Sequence, residues 1–360
     1  MEPQERHLLI VTENVRTSRT SNFAKAAKRF FNVRFLPEYG RLWSLQKRTP
    51  PPLSWIVISV RHLLCIFHMR HIRGARFCYF QDLDVPEAVL SRALGFRTIL
   101  DVIEPFSLAA RDYPLGIYGA RPWFVWLTKE LICYRLSNVI IVVCPEYAPW
   151  VEAKSGKEPI VVENFPDVNV FRPAQKHFDQ FSVVYFGGSS PSRTLQAVDL
   201  ALHDLKRELR LRFHLIGPPD LTEGLMSVDD YHGYLSDEEA ASIIGMCHVG
   251  IAPYLQNEHT RYTLPNKNFQ YAACGVLPIG PKTIPLSRFS EVCRFIRSND
   301  AKGWYQALQQ AHDEWGRNNS SFEDLRVTLV GRKWTSSDVW ESCMQRIVGN
   351  SEASCVESPS

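Results

Sequence analysis

The chain has 360 residues, 45% of them apolar and 22% charged, a balance that supports packed cores, excludes long disorder and asks for two domains rather than one. The net charge is only +3, yet residues 1–80 hold fourteen Lys and Arg against four Asp and Glu. No helix-turn-helix, RNP or zinc-finger pattern accompanies that basic end, so nucleic acid is not an expected partner. The nine scattered cysteines lack a CxxC pair, which excludes a disulfide framework and a zinc cluster and reads as reduced cytosolic thiols.

The N-terminus enters a strand directly, with no basic and apolar leader, so the expected location is cytoplasmic. In the first half His7–Thr12, Val33–Pro37, Phe77–Gln81, Thr98–Ile103, Val139–Val143 and Pro159–Glu163 read as buried strands alternating with helical segments. The apolar stretch 55–69 is broken by Arg61, His62 and His68 and falls short of a membrane span. Its flanking clusters, Arg41, Lys47 and Arg48, then Arg70, Arg73 and Arg76, are interleaved with Trp43, Trp55, Phe67 and Phe77. That mixture suits an anionic membrane surface or a phosphate-rich ligand.

Three groups in this half bear chemistry. After the first strand come Glu13, Arg16, Thr17, Arg19 and Asn22, and the two arginines suit an acceptor phosphate. Asp82-Leu83-Asp84 has the spacing of an acidic metal pair, but three-residue acidic patterns are common, and the eleven histidines show no ligand spacing, so no metal is expected. Asp101 and Glu104 close the Thr98–Ile103 strand. Either can take a proton from an attacking hydroxyl, or serve as a helix N-terminal charge or an arginine partner.

Residues 164–180, rich in turns and without apolar period, read as a linker, giving an N-terminal domain over 1–170 and a C-terminal domain over 171–334. The second domain opens with the strand Val183–Phe186 and a small-residue loop, Gly187, Gly188 and Ser189, with Arg193 close behind. Such a loop lets backbone amides approach a diphosphate. Strands at Arg212–Ile216, Val249–Ala252 and Val276–Ile279 follow. Gly233–Ala240 carries Tyr234 in a loop that suits a base, and Ser236 with Glu239 as a capping box. A helix over Lys267–Cys274 starts behind Pro265 with Asn266, Lys267, Asn268 and Gln270, an anion-binding pattern, and Gly275 stops it. A last helix over 335–349 is expected to pack back across the domains, and the polar tail 350–360 to be disordered.

Several of these stretches resemble one family. Gly250–Tyr254 reads GIAPY, Lys267, Gln270 and Tyr271 read K-x-x-Q-Y, Arg16, Thr17, Arg19 and Asn22 read R-T-x-R-x-x-N, and Glu104, Phe106 and Ser107 stand as an acid, an apolar residue and a serine. Together they resemble GT-B glycosyltransferases, especially the glucuronosyltransferases of xanthan biosynthesis, although Glu104 stands where that family has aspartate and Pro105 where it has glycine. The resemblance implies an α/β GT-B fold, two Rossmann-like doubly wound domains facing across a cleft. It makes Glu104 the general base of an inverting, metal-independent transfer from a UDP-sugar, with no other cofactor, to a lipid-linked saccharide acceptor at the cytoplasmic membrane face. Tyr254, Lys267 and Gln270 would contact the nucleotide, joined on the donor side by Gly187, Gly188, Ser189, Arg193, Tyr234 and Asn266. Glu13, Arg16, Arg19, Asn22 and Asp101 would serve the acceptor. Two alternatives fit the same residues: a retaining GT4-like transferase, which usually has glutamate where Gln270 stands, and a non-catalytic nucleotide- or glycan-binding scaffold.

Overall fold

A computed structural model describes residues 6–11, 18–35, 75–81, 83, 85–113, 122–175, 178–318 and 322–356, with the single positions 53, 60, 63 and 67. The chain forms two compact units, one of Met1–Arg111, Tyr118–Glu163 and Ser337–Ser360, the other of Asp112–Ile117 and Asn164–Ser336.

The first unit is built on six parallel strands, β1 (His7–Val11), β2 (Asn32–Phe35), β3 (Ala75–Gln81), β4 (Arg97–Val102), β5 (Val139–Val142) and β6 (Ile160–Val161), in the order β2-β1-β3-β4-β5-β6. Sequences such as His-Leu-Leu-Ile-Val in β1 and Val-Ile-Ile-Val in β5 are near-continuous apolar runs, as a parallel sheet covered on both faces requires. The helices are α1 (Ser18–Ala27), α2 (Val85–Ala93), α3 (Phe106–Asp112), α4 (Trp123–Leu136) and α5 (Ala148–Ser155).

The second unit also has six parallel strands, β7 (Phe181–Phe186), β8 (Leu211–Ile216), β9 (Asp230–Gly233), β10 (Val249–Ile251), β11 (Leu277–Gly280) and β12 (Arg294–Phe295), in the order β12-β11-β10-β7-β8-β9. This is the doubly wound nucleotide-binding order. It reverses between β7 and β10, the switch point where ligands bind beyond the carboxyl ends of the strands. The sequence does not announce β9 and β12. Both are edge strands, one polar and one two residues long, so neither carries a buried apolar run. The helices are α6 (Gln196–Leu205), α7 (Asp237–Ile244), α8 (Asn266–Ala273), α9 (Ala301–Asn318) and α10 (Glu323–Gly331), while the last helix, α11 (Ser336–Val356), belongs to the first unit.

Local signals explain the helix ends. At α7, Ser236 Oγ accepts from Glu239 N–H at 3.2 Å and Glu239 Oε2 accepts from Ser236 N–H at 2.9 Å, both halves of the expected capping box. At the end of α8, Gly275 takes φ 70°, with Val276 N–H bonded to Tyr271 O and Gly275 N–H to Ala272 O, each 3.0 Å. That is the Schellman arrangement a glycine permits.

Residues 164–175, expected to be part of a loose linker, pack into the second unit. Phe171 is buried, and the Arg326 guanidinium donates to the carbonyls of Val168 at 2.9 Å, Phe171 at 2.8 Å and Ala273 at 2.9 Å. The chain leaves the first unit after Glu163. The last helix buries Trp340, Cys343, Met344 and Ile347 with Phe23 and Tyr79 in the first unit's core. It runs on to Val356, into the tail expected to be disordered, because no glycine or proline interrupts Ser351–Val356.

Candidate functional site

The second unit gathers most of the expected donor residues at its switch point. β7 ends at Phe186, and Gly187 turns the chain under the first turn of α8. A Cβ on Gly187 would stand 2.2 Å from Lys267 Cε, 2.7 Å from Lys267 Nζ and 3.0 Å from Arg193 Nη1. The glycine is therefore the space in which two cationic side chains meet. Lys267 is buried and makes no ion pair or hydrogen bond among the described residues. Burial pushes its pKa well below the ordinary lysine value and the Arg193 charge pushes the same way, against a smaller pull from Asp237. A buried ammonium beside a guanidinium is a costly arrangement that an anion would relieve.

Helix α8 adds to the same field. Its N-cap is Pro265, which provides no side-chain cap, so first-turn N–H groups and the positive end of the helix dipole remain available to a ligand. Gln270, one turn on from Lys267, is 4% exposed, and its Oε1 has no hydrogen-bond partner among the described residues. Asn266 is half-buried at the first helical position. Gly188 anchors Arg193, whose Nη1 donates to the Gly188 carbonyl at 2.9 Å. Ser189 is exposed and lines, with Tyr185, Ser190, Arg193 and Asp220, a pocket of about 420 Å³.

Tyr254 and Tyr234 differ from the rest. Tyr254 is 5% exposed; it pairs its backbone with Arg193 and holds that guanidinium 5.2 Å from its ring centre, so it orients a cation rather than standing open to a ligand. Tyr234, just past β9, is 77% exposed.

Tyr271, given no task from the sequence, is a staple. Its hydroxyl accepts from Phe186 N–H at 2.9 Å and donates to Ile251 O at 3.2 Å, tying the ends of β7 and β10 together at the switch point. A Cβ on Gly250 would stand 2.3 Å from the Tyr271 ring. The two short motifs of this unit are thus one interlocking piece.

In the first unit the structure corrects two expected acceptor contacts. Asp101 is fully buried and Arg19 nearly so. Arg19 Nε and Nη2 donate to the two Asp101 oxygens at 2.7 Å each, Arg19 Nη1 donates to Val162 O at 3.1 Å, and Tyr79 Oη donates to Asp101 at 2.7 Å. Burial works against the arginine's charge and Asp101 more than offsets it, raising its pKa. Their charges are spent on each other, which leaves them a structural task. Asn22 is also buried, on α1. Glu13, Arg16 and Thr17 lie outside the described residues, as do Asp82, Asp84 and most of the basic stretch 41–76.

Glu104 is half-buried in the turn between β4 and α3. Three residues further on, Ser107 is held by a residue the sequence did not single out. Glu130, on α4, is 0% exposed; its carboxylate accepts from Ser107 N–H at 2.9 Å and Ser107 Oγ–H at 2.7 Å. The signal was a lone carboxylate in the predominantly apolar helix Trp-Phe-Val-Trp-Leu-Thr-Lys-Glu-Leu-Ile-Cys-Tyr.

No protein-family model and no curated protein matches the chain. Solved structures do. Sucrose-phosphate synthase from Thermosynechococcus elongatus aligns with a TM-score of 0.72 at 12% identity, over 97% of this chain and 99% of that one. Anabaena HepE in complex with UDP-glucose aligns at 0.67 and 11%, over 96% and 99%. The trehalose-6-phosphate structure from E. coli bound with UDP-2-fluoro glucose aligns at 0.66 and 11%, over 95% and 98%. The likeness shows the fold, the paired parallel-sheet Rossmann-like domains of GT-B glycosyltransferases. Among the described residues no helix is long and apolar enough to cross a membrane.

Proposed function

We propose that the chain is an inverting GT-B glycosyltransferase that takes a sugar from a UDP-sugar and adds it to a lipid-linked saccharide of a cell-surface glycan. The observation that carries the reading is the meeting of Lys267 and Arg193 over Gly187, at the switch point of a doubly wound sheet. Three features support a diphosphate site there: two cations, an uncapped helix start and a glycine loop within reach of one another. The HepE structure in complex with UDP-glucose and the E. coli structure bound with UDP-2-fluoro glucose, both of like fold, support a UDP-sugar as the donor.

In this reading the acceptor hydroxyl attacks the anomeric carbon while Glu104 takes its proton. The bond from that carbon to the diphosphate oxygen breaks with its electron pair on UDP. Lys267, Arg193 and the α8 amides stabilise the negative charge that develops there. Attack from the face opposite the leaving group inverts the anomeric centre. The resemblance to xanthan glucuronosyltransferases makes UDP-glucuronate the first donor to try, and the basic N-terminal stretch suits an anionic membrane or a lipid diphosphate.

The test is a panel of UDP-sugars, without added metal, scored by protection against thermal unfolding and followed by the anomeric configuration of the product. Protection by one UDP-sugar and an inverted product support the proposal. A retained configuration transfers the chain to the GT4-like alternative, and protection by none of the panel removes the donor site.

A further inference from the structure

Helix α3 begins with a problem that its own sequence does not solve. Its N-cap position is Pro105, whose carbonyl accepts from Leu108 N–H at 3.1 Å and Ala109 N–H at 3.0 Å. Proline has no side-chain oxygen to accept the first free N–H groups of the helix. Glu130 performs that task from another helix through its two bonds to Ser107, and the Phe106 backbone adds a smaller pull on its charge. A fully buried carboxylate is costly, and burial is the largest influence on Glu130, raising its pKa against the Ser107 bonds, the Lys154 charge and the Phe106 bond.

The residue held at the other side of this cap is Glu104. It immediately precedes Pro105, so the direction in which α3 starts fixes where Glu104 stands. The two carboxylates also share surroundings. Tyr147 and Tyr134 pair their hydroxyls at 2.9 Å; burial raises both tyrosines' pKa, Glu130 raises each further, and Glu104 adds to Tyr147. The groups that face Glu130 are thus Ser107 and Phe106 from α3, Tyr134 from its own helix, Tyr147 from the turn before α5, and Lys154 from α5.

We propose that Glu130 is a positioning residue for Glu104, holding the turn that carries it and neutralising the helix start into which that turn leads. The inference rests on the reading of Glu104 as the general base. A helix N-terminus stabilises a nearby carboxylate and so weakens it as a base. By accepting the Ser107 N–H in the first turn of α3, Glu130 neutralises that end.

The experiment compares wild type with Glu104→Gln, Glu130→Gln, Glu130→Asp and Ser107→Ala. UDP release from UDP-glucuronate and UDP-glucose is followed across pH, and the Glu104 carboxyl carbon is titrated by NMR, assigned by its loss in Glu104→Gln. Glu130→Gln is expected to lower kcat by about 10- to 100-fold, leave the donor KM unchanged, and move both the acid limb and the Glu104 titration to lower pH. Ser107→Ala, which keeps the charge, lowers kcat less and leaves the limb in place, and Glu130→Asp returns the limb towards wild type. An unchanged Glu104 titration in Glu130→Gln overturns the proposal, as does an unchanged kcat where Glu104→Gln is inactive. Full turnover by Glu104→Gln overturns the base reading instead, while the titration still decides whether Glu130 acts on Glu104. An unchanged far-UV circular dichroism spectrum and a cooperative thermal transition in Glu130→Gln show that the variant is folded.

Discussion

Lys267 crosses Gly187 at a distance that leaves no room for a methyl group, since a Cβ on the glycine would stand 2.2 Å from the lysine Cε. The loop after β7 and the start of α8 are 80 residues apart in sequence, yet each is shaped for the other. Gly187→Ala is expected to displace Lys267 and weaken UDP binding by roughly tenfold, about 1.4 kcal/mol, as measured by calorimetry. Wild-type affinity in that variant would mean that Lys267 does not need its present place.

The lowered pKa of Lys267 gives the site a pH dependence of known sign. In the folded chain this lysine releases its proton below the ordinary value of 10.5, through burial first and Arg193 second. Its charge therefore costs stability below the folded pKa, and the cost is relieved as pH rises from there towards the unfolded value. A bound diphosphate reverses the preference and favours the ammonium. UDP binding should weaken as pH rises through the lowered pKa and should take up a proton there. Titrations in buffers of different ionisation enthalpy detect that uptake, and the dependence should vanish in Lys267→Met.

Tyr271 joins the ends of two strands through one hydroxyl. Tyr271→Phe keeps the ring against Gly250 and leaves Phe186 N–H and Ile251 O without their partner. The expected loss is about 1–3 kcal/mol, read from urea unfolding with an unchanged m-value. A loss near zero would show that another group or water takes over both bonds.

Asp101 and Arg19 form a buried charged pair whose members depend on each other. Removing one partner, as in Asp101→Asn, should destabilise the first unit by about 3–5 kcal/mol. The double variant Arg19→Met with Asp101→Leu should recover much of that loss, since no unpaired charge remains. Equal losses in the single and double variants would contradict the pairing as the source.

Much of this was legible in the sequence, for physical reasons. Apolar runs such as Val139–Val142 and Phe181–Phe186 mark strands buried on both faces, and Ser236, Glu239 and Gly275 mark helix ends because their chemistry acts within a few residues. The candidate donor site could be read in part because Gly187, Lys267 and Gln270 belong to short motifs. The edge strands Asp230–Gly233 and Arg294–Phe295 stayed hidden because they bury no apolar face. Asp101 and Arg19 were legible as charges but not as each other's partner, 82 positions apart. Glu130 was silent for the same reason, since its task depends on a residue 23 positions away.

The most direct test of the central claim is calorimetric titration of the full chain with UDP, without added metal, beside Lys267→Ala. The account predicts binding by the wild type and at least a tenfold weaker affinity in the variant, the loss of a charged hydrogen bond to the diphosphate, on the order of 1.5–3 kcal/mol. Absence of UDP binding by the wild type, or equal affinity in Lys267→Ala, would contradict it.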